Sequence, residues 1–378
     1  MNPIQQLGQA GQSVWLDFMQ RSLLTTGALS RLIGEDGIRG LTSNPTIFEK
    51  AVAGSHDYDE LFAELGPQGK TVQEAYDVLT LRDIRDAARI FRPVWESSAH
   101  RDGYCSLEVS PKLAHDTKGS VEEARRLWKA LGAPNVMIKI PGTPEGVPAI
   151  EQCIGEGINI NVTLLFSQEA YVTVAEAYLR GLERRLKEGQ DVSGLASVAS
   201  FFVSRIDSEV EKRIGQARGK GVEERRSRLF DAVLGKVAIA NAKLAYRRYQ
   251  GLFSGPRWEA LARKGAHSQR VLWASTGTKN PKYSDVLYVE ELVGQDTVNT
   301  VPPATLDAFR DHGKVRSSLT EDLSGAQSTM RALEEAGISM KDVTDTLVAE
   351  GVQKFAESFD DLFKAIGDRL RTHTGKAL

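Results

Sequence analysis

The chain has 378 residues, 41% of them hydrophobic and 26% charged, so it can bury a sizeable core and lacks the apolar depletion of a disordered protein. Its formal net charge of -2 excludes a global bias toward nucleic acid or an anionic membrane, and any anionic substrate must be met by a local cluster of donors. No apolar run is long enough to span a bilayer and no basic-then-apolar leader is present, so a cytoplasmic, membrane-free protein is the default expectation.

In chain order, short runs of β-branched, apolar and small residues fall at Val14–Phe18, Arg39–Ser43, Tyr104–Val109, Val136–Ile140, Ile158–Leu164, Ala196–Phe202, Val271–Ser275 and Thr297–Val301. Helical periodicity fills the segments between them, which is the pattern of repeated βα units around a parallel sheet. Eight strands suggest closure. The expected fold is α/β, a single (β/α)8 TIM barrel over residues 1–378, because such barrels exceed the usual domain size in one unit. Thr71-Val72-Gln73-Glu74 and Ser120-Val121-Glu122-Glu123 both fit a capping box and predict helix starts. The connections at about 46–102 and 206–269 exceed one helix and read as helical insertions. Within the second, the Gly- and charge-rich Arg213–Arg228 stretch predicts a helix break or an exposed loop. After the last strand, residues 317–370 predict two helices split at Gly337 and packed on the barrel exterior.

In a barrel strand, alternate residues face the lumen and the surrounding helices. Alternation sets Asn159, Asn161 and Thr163 against Ile158, Ile160, Val162 and Leu164. It sets Lys139 with Met137 against Val136, Ile138 and Ile140, and Asp17 with Trp15 against Val14, Leu16 and Phe18. Glu108 shares a face with Ser106, and Asn44 follows the parity of Thr42. A lysine, two acids and two amides therefore point into an interior that would otherwise hold aliphatic side chains. An unpaired buried charge costs several kcal/mol, roughly, so it persists only if paired, neutralised or used. All of these residues lie toward the C-terminal ends of their strands, where barrel enzymes build their sites. Each taken alone has an ordinary structural role, in a salt bridge, a cap or a turn. Their joint occurrence on five strands is what points to a site.

The chemistry follows from residue types. A lysine in a low-dielectric interior is expected to become a neutral amine that attacks a carbonyl carbon. The resulting iminium is an electron sink for the carbanion left when a neighbouring carbon–carbon bond breaks, with no metal or organic cofactor required. Asp17 and Glu108 offer two separate carboxylates for proton transfer. Asn44 and Asn161 are candidates for holding substrate hydroxyls, and Thr163 for orienting a water.

Gly40-Leu41-Thr42-Ser43-Asn44-Pro45-Thr46-Ile47-Phe48, Ile138-Lys139-Ile140-Pro141-Gly142-Thr143 and Ile158-Asn159-Ile160-Asn161-Val162-Thr163-Leu164-Leu165-Phe166-Ser167 resemble the transaldolase family. The likeness runs in order from Asp17 to about Val301, and Glu350-Gly351-Val352-Gln353-Lys354-Phe355 is similar to that family's final helix. The resemblance implies transfer of a three-carbon dihydroxyacetone unit from sedoheptulose 7-phosphate to glyceraldehyde 3-phosphate, giving erythrose 4-phosphate and fructose 6-phosphate. It implies Lys139 as the Schiff-base residue. It further implies Glu108 acting through a water held with Thr163, Asp17 moving the C4-hydroxyl proton, and Asn44 and Asn161 retaining the three-carbon unit. Ser200-Phe201-Phe202-Val203-Ser204-Arg205 is similar to the segment that sets a serine at the substrate and an arginine at its phosphate. At the seventh run the family usually reads Ala-Ser-aromatic-Arg-Asn, whereas this chain reads Ala274-Ser275-Thr276-Gly277-Thr278-Lys279-Asn280-Pro281, like a longer subgroup. Ser275 matches directly. Lys279 replaces an arginine fork with a point charge on a flexible stem.

Two rivals remain at this stage: a fructose 6-phosphate aldolase that releases free dihydroxyacetone, and a non-catalytic sugar-phosphate-binding barrel. Cys105 and Cys153 are too few for a disulfide framework and lack redox or metal spacing, so buried inert thiols are expected. Gly215–Gly221 lacks the spacing of a phosphate-binding loop. His56, His100, His115, His267, His312 and His373 are scattered and read as surface or structural residues, with no metal expected. Sugar phosphates are the expected partners, without nucleic acid or membrane, and the chain would act as a monomer or homodimer.

Overall fold

A computed structural model describes residues 1–219 and 221–373, and the side chain of His373 falls outside the described residues, as does Lys220. Eight parallel strands close a barrel in the order of the chain: β1 (Gln12–Asp17), β2 (Gly40–Thr42), β3 (Tyr104–Glu108), β4 (Val136–Pro141), β5 (Ile160–Leu165), β6 (Ser197–Phe202), β7 (Arg270–Ala274) and β8 (Thr297–Val301). The outward residues of β4, Val136, Ile138 and Ile140, are fully buried beneath the helical layer. Each such aliphatic side chain contributes about 1.5–3 kcal/mol of burial. Register then fixes which polar residues meet inside. Glu108 pairs with Lys139 across β3 and β4, Lys139 with Asn161 across β4 and β5, and Asp17 with Thr42 across β1 and β2.

The first insertion holds helices Pro45–Gly54, Asp59–Leu65 and Val72–Ser97. The last begins at the expected capping box, where Thr71 Oγ1 accepts from Glu74 N at 3.2 Å and Glu74 Oε2 from Thr71 N at 2.8 Å. The second expected box does not start its helix. Helix Thr117–Leu131 begins one turn earlier, because the Asp116 carboxylate caps Gly119 N at 2.9 Å; the Ser120 hydroxyl donates back to Leu113 O, and Glu123 pairs with Arg126. A helix before the barrel, Pro3–Gln9, was not foreseen; Asn2 and Gln5 cap it reciprocally.

The second insertion holds helices Ser204–Arg218, Glu224–Val233, Val237–Leu252 and Gly255–Ala262. The break expected over Arg213–Arg228 narrows to the few residues between the first two, since Arg213 to Arg218 remain helical. After β8 and helix Pro303–His312, the chain forms helices Leu323–Glu335 and Met340–His373, split at Gly337, whose φ of +73° ends the first. The Met340–His373 helix reaches the C-terminal end of the barrel. A Cβ on its Gly351 would come within 2.8 Å of a terminal methyl of Leu164 in β5, so a larger residue there would make that side chain shift. Among the described residues no helix is long and apolar enough to cross a membrane.

At the opposite, N-terminal end the lumen is plugged by polar groups. Asp102 accepts from Arg270 at 2.9 Å, from the Ser13 hydroxyl at 2.8 Å and from Trp15 Nε1 at 3.3 Å. Burial would raise the Asp102 pKa, but Arg270 and these donors outweigh it and hold the carboxyl below its ordinary value.

Candidate active site

The C-terminal mouth opens onto a cavity of about 410 Å³. Lys139, Asp17, Thr163, Asn44, Ser200, Arg205, Ser275 and Lys279 all line it, so most of the residues singled out in the sequence converge there. Glu108 and Asn161 lie beneath the cavity wall, on the strands flanking Lys139.

Lys139 is 5% exposed. Its Nζ donates to Ser43 O at 3.0 Å and stands 3.3 Å from Glu108 Oε2. The second contact is an ion pair without hydrogen-bond alignment: both Glu108 carboxylate oxygens lack a hydrogen-bond partner among the described residues, and so does the Thr163 hydroxyl. Buried acceptors of this kind call for a donor from outside the protein. Burial pushes the Glu108 carboxyl above its ordinary range, Lys139 pulls it back, and Asp17 adds to the rise.

Asp17 is held from the other side of the lumen. The Thr42 hydroxyl donates to its Oδ1 at 2.7 Å and lies 2.6 Å from the Thr300 hydroxyl, so a short hydroxyl relay ends on this carboxylate. Burial raises the Asp17 pKa, opposed by the Thr42 hydrogen bond and by Lys139, Lys279 and Arg205. The two acids thus have different partners, Lys139 for Glu108 and hydroxyls for Asp17.

Asn161 sits at the centre of a side-chain bridge. It donates to Ser106 Oγ at 3.0 Å and accepts from Ser200 Oγ at 2.7 Å, leaving one amide proton without an acceptor among the described residues. Asn44 lines the cavity, and its Oδ1 caps helix Pro45–Gly54 by accepting from Ile47 N at 3.0 Å. Asn159, expected on the same face as Asn161, instead precedes β5. It donates to Pro134 O and Val136 O and accepts from Ala196 N, tying neighbouring backbones together. The β5 alternation also stops at Leu164, whose φ of +59° shifts the register between Val162 and Leu165.

On the far wall, Arg205 lies over the Phe202 ring at 5.3 Å and burial lowers its pKa, with Glu350 and Asp17 opposing. Lys279 is likewise lowered by burial and then by repulsion from Arg205, with Lys50 adding a smaller push. Ser275, at φ +57°, joins this wall to the Arg205 helix through Ser204, hydroxyl to hydroxyl at 2.9 Å and Ser204 N to Ser275 O at 3.0 Å. Arg205, Lys279 and Lys50 therefore share one cavity with Lys139, and Asp17 is its acidic lining residue among the described residues. Sequence reasoning missed Lys50 and Phe355. A lysine six residues into a helix looks like any solvated side chain, and Phe355 reaches the cavity from a helix near the end of the chain.

The decoys behave as ordinary residues. Both cysteines are free and buried, and burial pushes the Cys153 thiol up to about 12. His56, His115 and His312 pair with surface acids, His100 stacks on Trp95, and His267 meets Ser193 O.

The sequence model of the family described as transaldolase/fructose-6-phosphate aldolase matches residues 14–366. A protein named Transaldolase from Trichodesmium erythraeum (strain IMS101) is 46% identical over 375 residues, 99% of each chain. Transaldolase 2 of Nostoc punctiforme (strain ATCC 29133 / PCC 73102) is 48% identical over 98% of each chain, and Transaldolase of Thermobifida fusca (strain YX) is 48% identical over 99% of this chain and 100% of its own. With a closed eight-stranded barrel, a buried lysine at its mouth and this likeness along nearly the whole length, the chain belongs to the transaldolase/fructose-6-phosphate aldolase family.

Proposed function

We propose that this chain is a transaldolase acting by a lysine Schiff base, moving a dihydroxyacetone unit from sedoheptulose 7-phosphate to glyceraldehyde 3-phosphate in the non-oxidative pentose phosphate pathway. The observation that carries the reading is the Lys139 amine on the cavity floor, 3.3 Å from Glu108, with Asp17 on a different wall.

In this reading the amine attacks the ketose carbonyl. Glu108, through a water also held by Thr163, gives the proton with which the carbonyl oxygen leaves as water. Asp17 then takes the C4-hydroxyl proton, the C3–C4 bond breaks, and its electron pair moves into the iminium to give an enamine. The aldose phosphate departs. Asn44 and Asn161 hold the hydroxyls of the remaining three-carbon unit until the acceptor aldehyde arrives, when the steps run in reverse and water releases the new ketose. Ser200, bonded to Asn161, meets the substrate beside the three-carbon unit, while Arg205 and Lys279, with Ser275, receive the phosphate, whose dianion relieves the repulsion among the cations.

Borohydride reduction in the presence of fructose 6-phosphate should attach the dihydroxyacetone unit covalently to the wild-type chain, and Lys139→Ala should abolish the adduct. An adduct that survives Lys139→Ala would overturn the assignment. Release of free dihydroxyacetone without an acceptor, at a rate comparable to transfer, would favour the aldolase activity of the family instead.

A further inference from the structure

Lys279 carries its charge on a flexible four-carbon stem, so its usefulness to a phosphate depends on how firmly its backbone is held. The loop that carries it, residues 275–286, is tied within itself: Tyr283 N donates to Asn280 O at 3.1 Å, Lys282 N to Asn280 Oδ1 at 3.0 Å, and the Thr278 hydroxyl to Ser284 O at 2.8 Å. Two further bonds leave the loop for one carboxylate. Glu211 accepts from Asn280 Nδ2 at 3.0 Å on Oε2 and from the Tyr283 hydroxyl at 2.6 Å on Oε1. The Asn280 amide is thus engaged at both Oδ1 and Nδ2, and because Asn280 directly follows Lys279, one tie lies a single residue from the cation. The Tyr283 ring also rests on Gly235, where a Cβ would come within 2.8 Å of it.

Glu211 belongs to helix Ser204–Arg218, which begins beside the cavity with Ser204 and Arg205. One helix thus presents its own arginine to the cavity and, less than two turns later, grips the loop that presents the lysine. Bonds to an ionised carboxylate are stronger than neutral ones and hold their donors in a narrower geometry.

We propose that Glu211 is a positioning residue for the phosphate clamp: it fixes the 275–286 loop so that the Lys279 ammonium stands beside Arg205. This rests on the reading of the cavity as a sugar-phosphate site. Glu211 need not touch substrate.

A double-mutant cycle separates positioning from general support. Lys279→Met should raise KM for fructose 6-phosphate about ten- to a hundredfold, the scale of a charge-assisted hydrogen bond. Glu211→Gln, keeping the shape and weakening both ties, should raise it by roughly three- to tenfold. The double variant should match Lys279→Met alone within about twofold. Borohydride trapping by dihydroxyacetone, which carries no phosphate, should be unchanged in Glu211→Gln. Multiplying effects in the double variant, an unchanged KM in Glu211→Gln, or a parallel loss of dihydroxyacetone trapping would each overturn the proposal. If Glu211→Gln fails to fold, Tyr283→Phe removes one tie and leaves the acid, and the same cycle is read with it. Absence of any wild-type adduct with either sugar would overturn the sugar-phosphate reading itself, and this proposal with it.

Discussion

Glu108→Gln preserves the outline of a side chain that is 4% exposed while removing its charge and its ability to carry a proton. The carboxylate makes no hydrogen bond to a described residue, so the amide gives up the 3.3 Å ion pair with Lys139 but no hydrogen bond. Asp17, the other acid at the site, is tied to Thr42 in β2 and so is poorly placed to substitute at the carbonyl oxygen. The full benefit of a positioned acid–base group, about 10²–10⁴-fold, should therefore be lost from imine formation and imine hydrolysis, equivalent to roughly 3–5 kcal/mol of barrier. Cleavage, assigned to Asp17, should be spared. The assay is rapid-quench borohydride trapping with fructose 6-phosphate: adduct should accumulate that much more slowly yet approach the wild-type plateau, with kcat falling in step. Trapping at the wild-type rate would refute the assignment of Glu108, and a lost plateau would mean that the residue holds the site together.

Two predictions concern the scaffold. Asp207 is buried, accepts from Ala238 N and from the Tyr288 hydroxyl, both at 2.9 Å, and burial raises its pKa to about 6. The native state thus keeps a proton that the unfolded chain releases near 3.8; the stabilisation is complete below about pH 4 and is lost as the pH rises through 6, a change of roughly 3 kcal/mol. Urea unfolding across this range should show Asp207→Asn with a flatter profile than wild type, and equal slopes would refute it. Gly40 pairs with Trp15, and a Cβ there would lie 2.6 Å from the indole. Gly40→Ala should destabilise by about 1–3 kcal/mol in the urea midpoint, and an unchanged midpoint would show that the Trp15 ring can yield.

Much of the barrel was legible because its strands bury one aliphatic face under helices, and that periodicity survives in the letters. Lys139, Asp17 and Glu108 were legible as charges on the wrong face. Features set by backbone choice or by distant partners were not. Leu164 carries no signal of a left-handed conformation, so the β5 alternation was read two residues too far toward Ile158 and through a kink. Ser120 and Glu123 have capping-box spacing, yet a carboxylate four residues earlier competes for the same helix start and wins. Arg270 and Asp102 each stand at the edge of an element and look solvated, because the pair that buries them joins positions far apart in the chain. Asn44 was legible as a residue for substrate hydroxyls, but not as the cap of the helix that follows it.

The Met340–His373 helix lays Gly351 on Leu164, sets Phe355 against the cavity and bonds Ser358 to Thr46 at 2.7 Å. All eight strands precede residue 302, so the ribosome delivers the whole sheet well before this wall. A nascent chain stalled between the two would carry Lys139 in a barrel still open on one side. The order of synthesis therefore withholds a finished pocket until Gly351, Phe355 and Ser358 have followed the sheet.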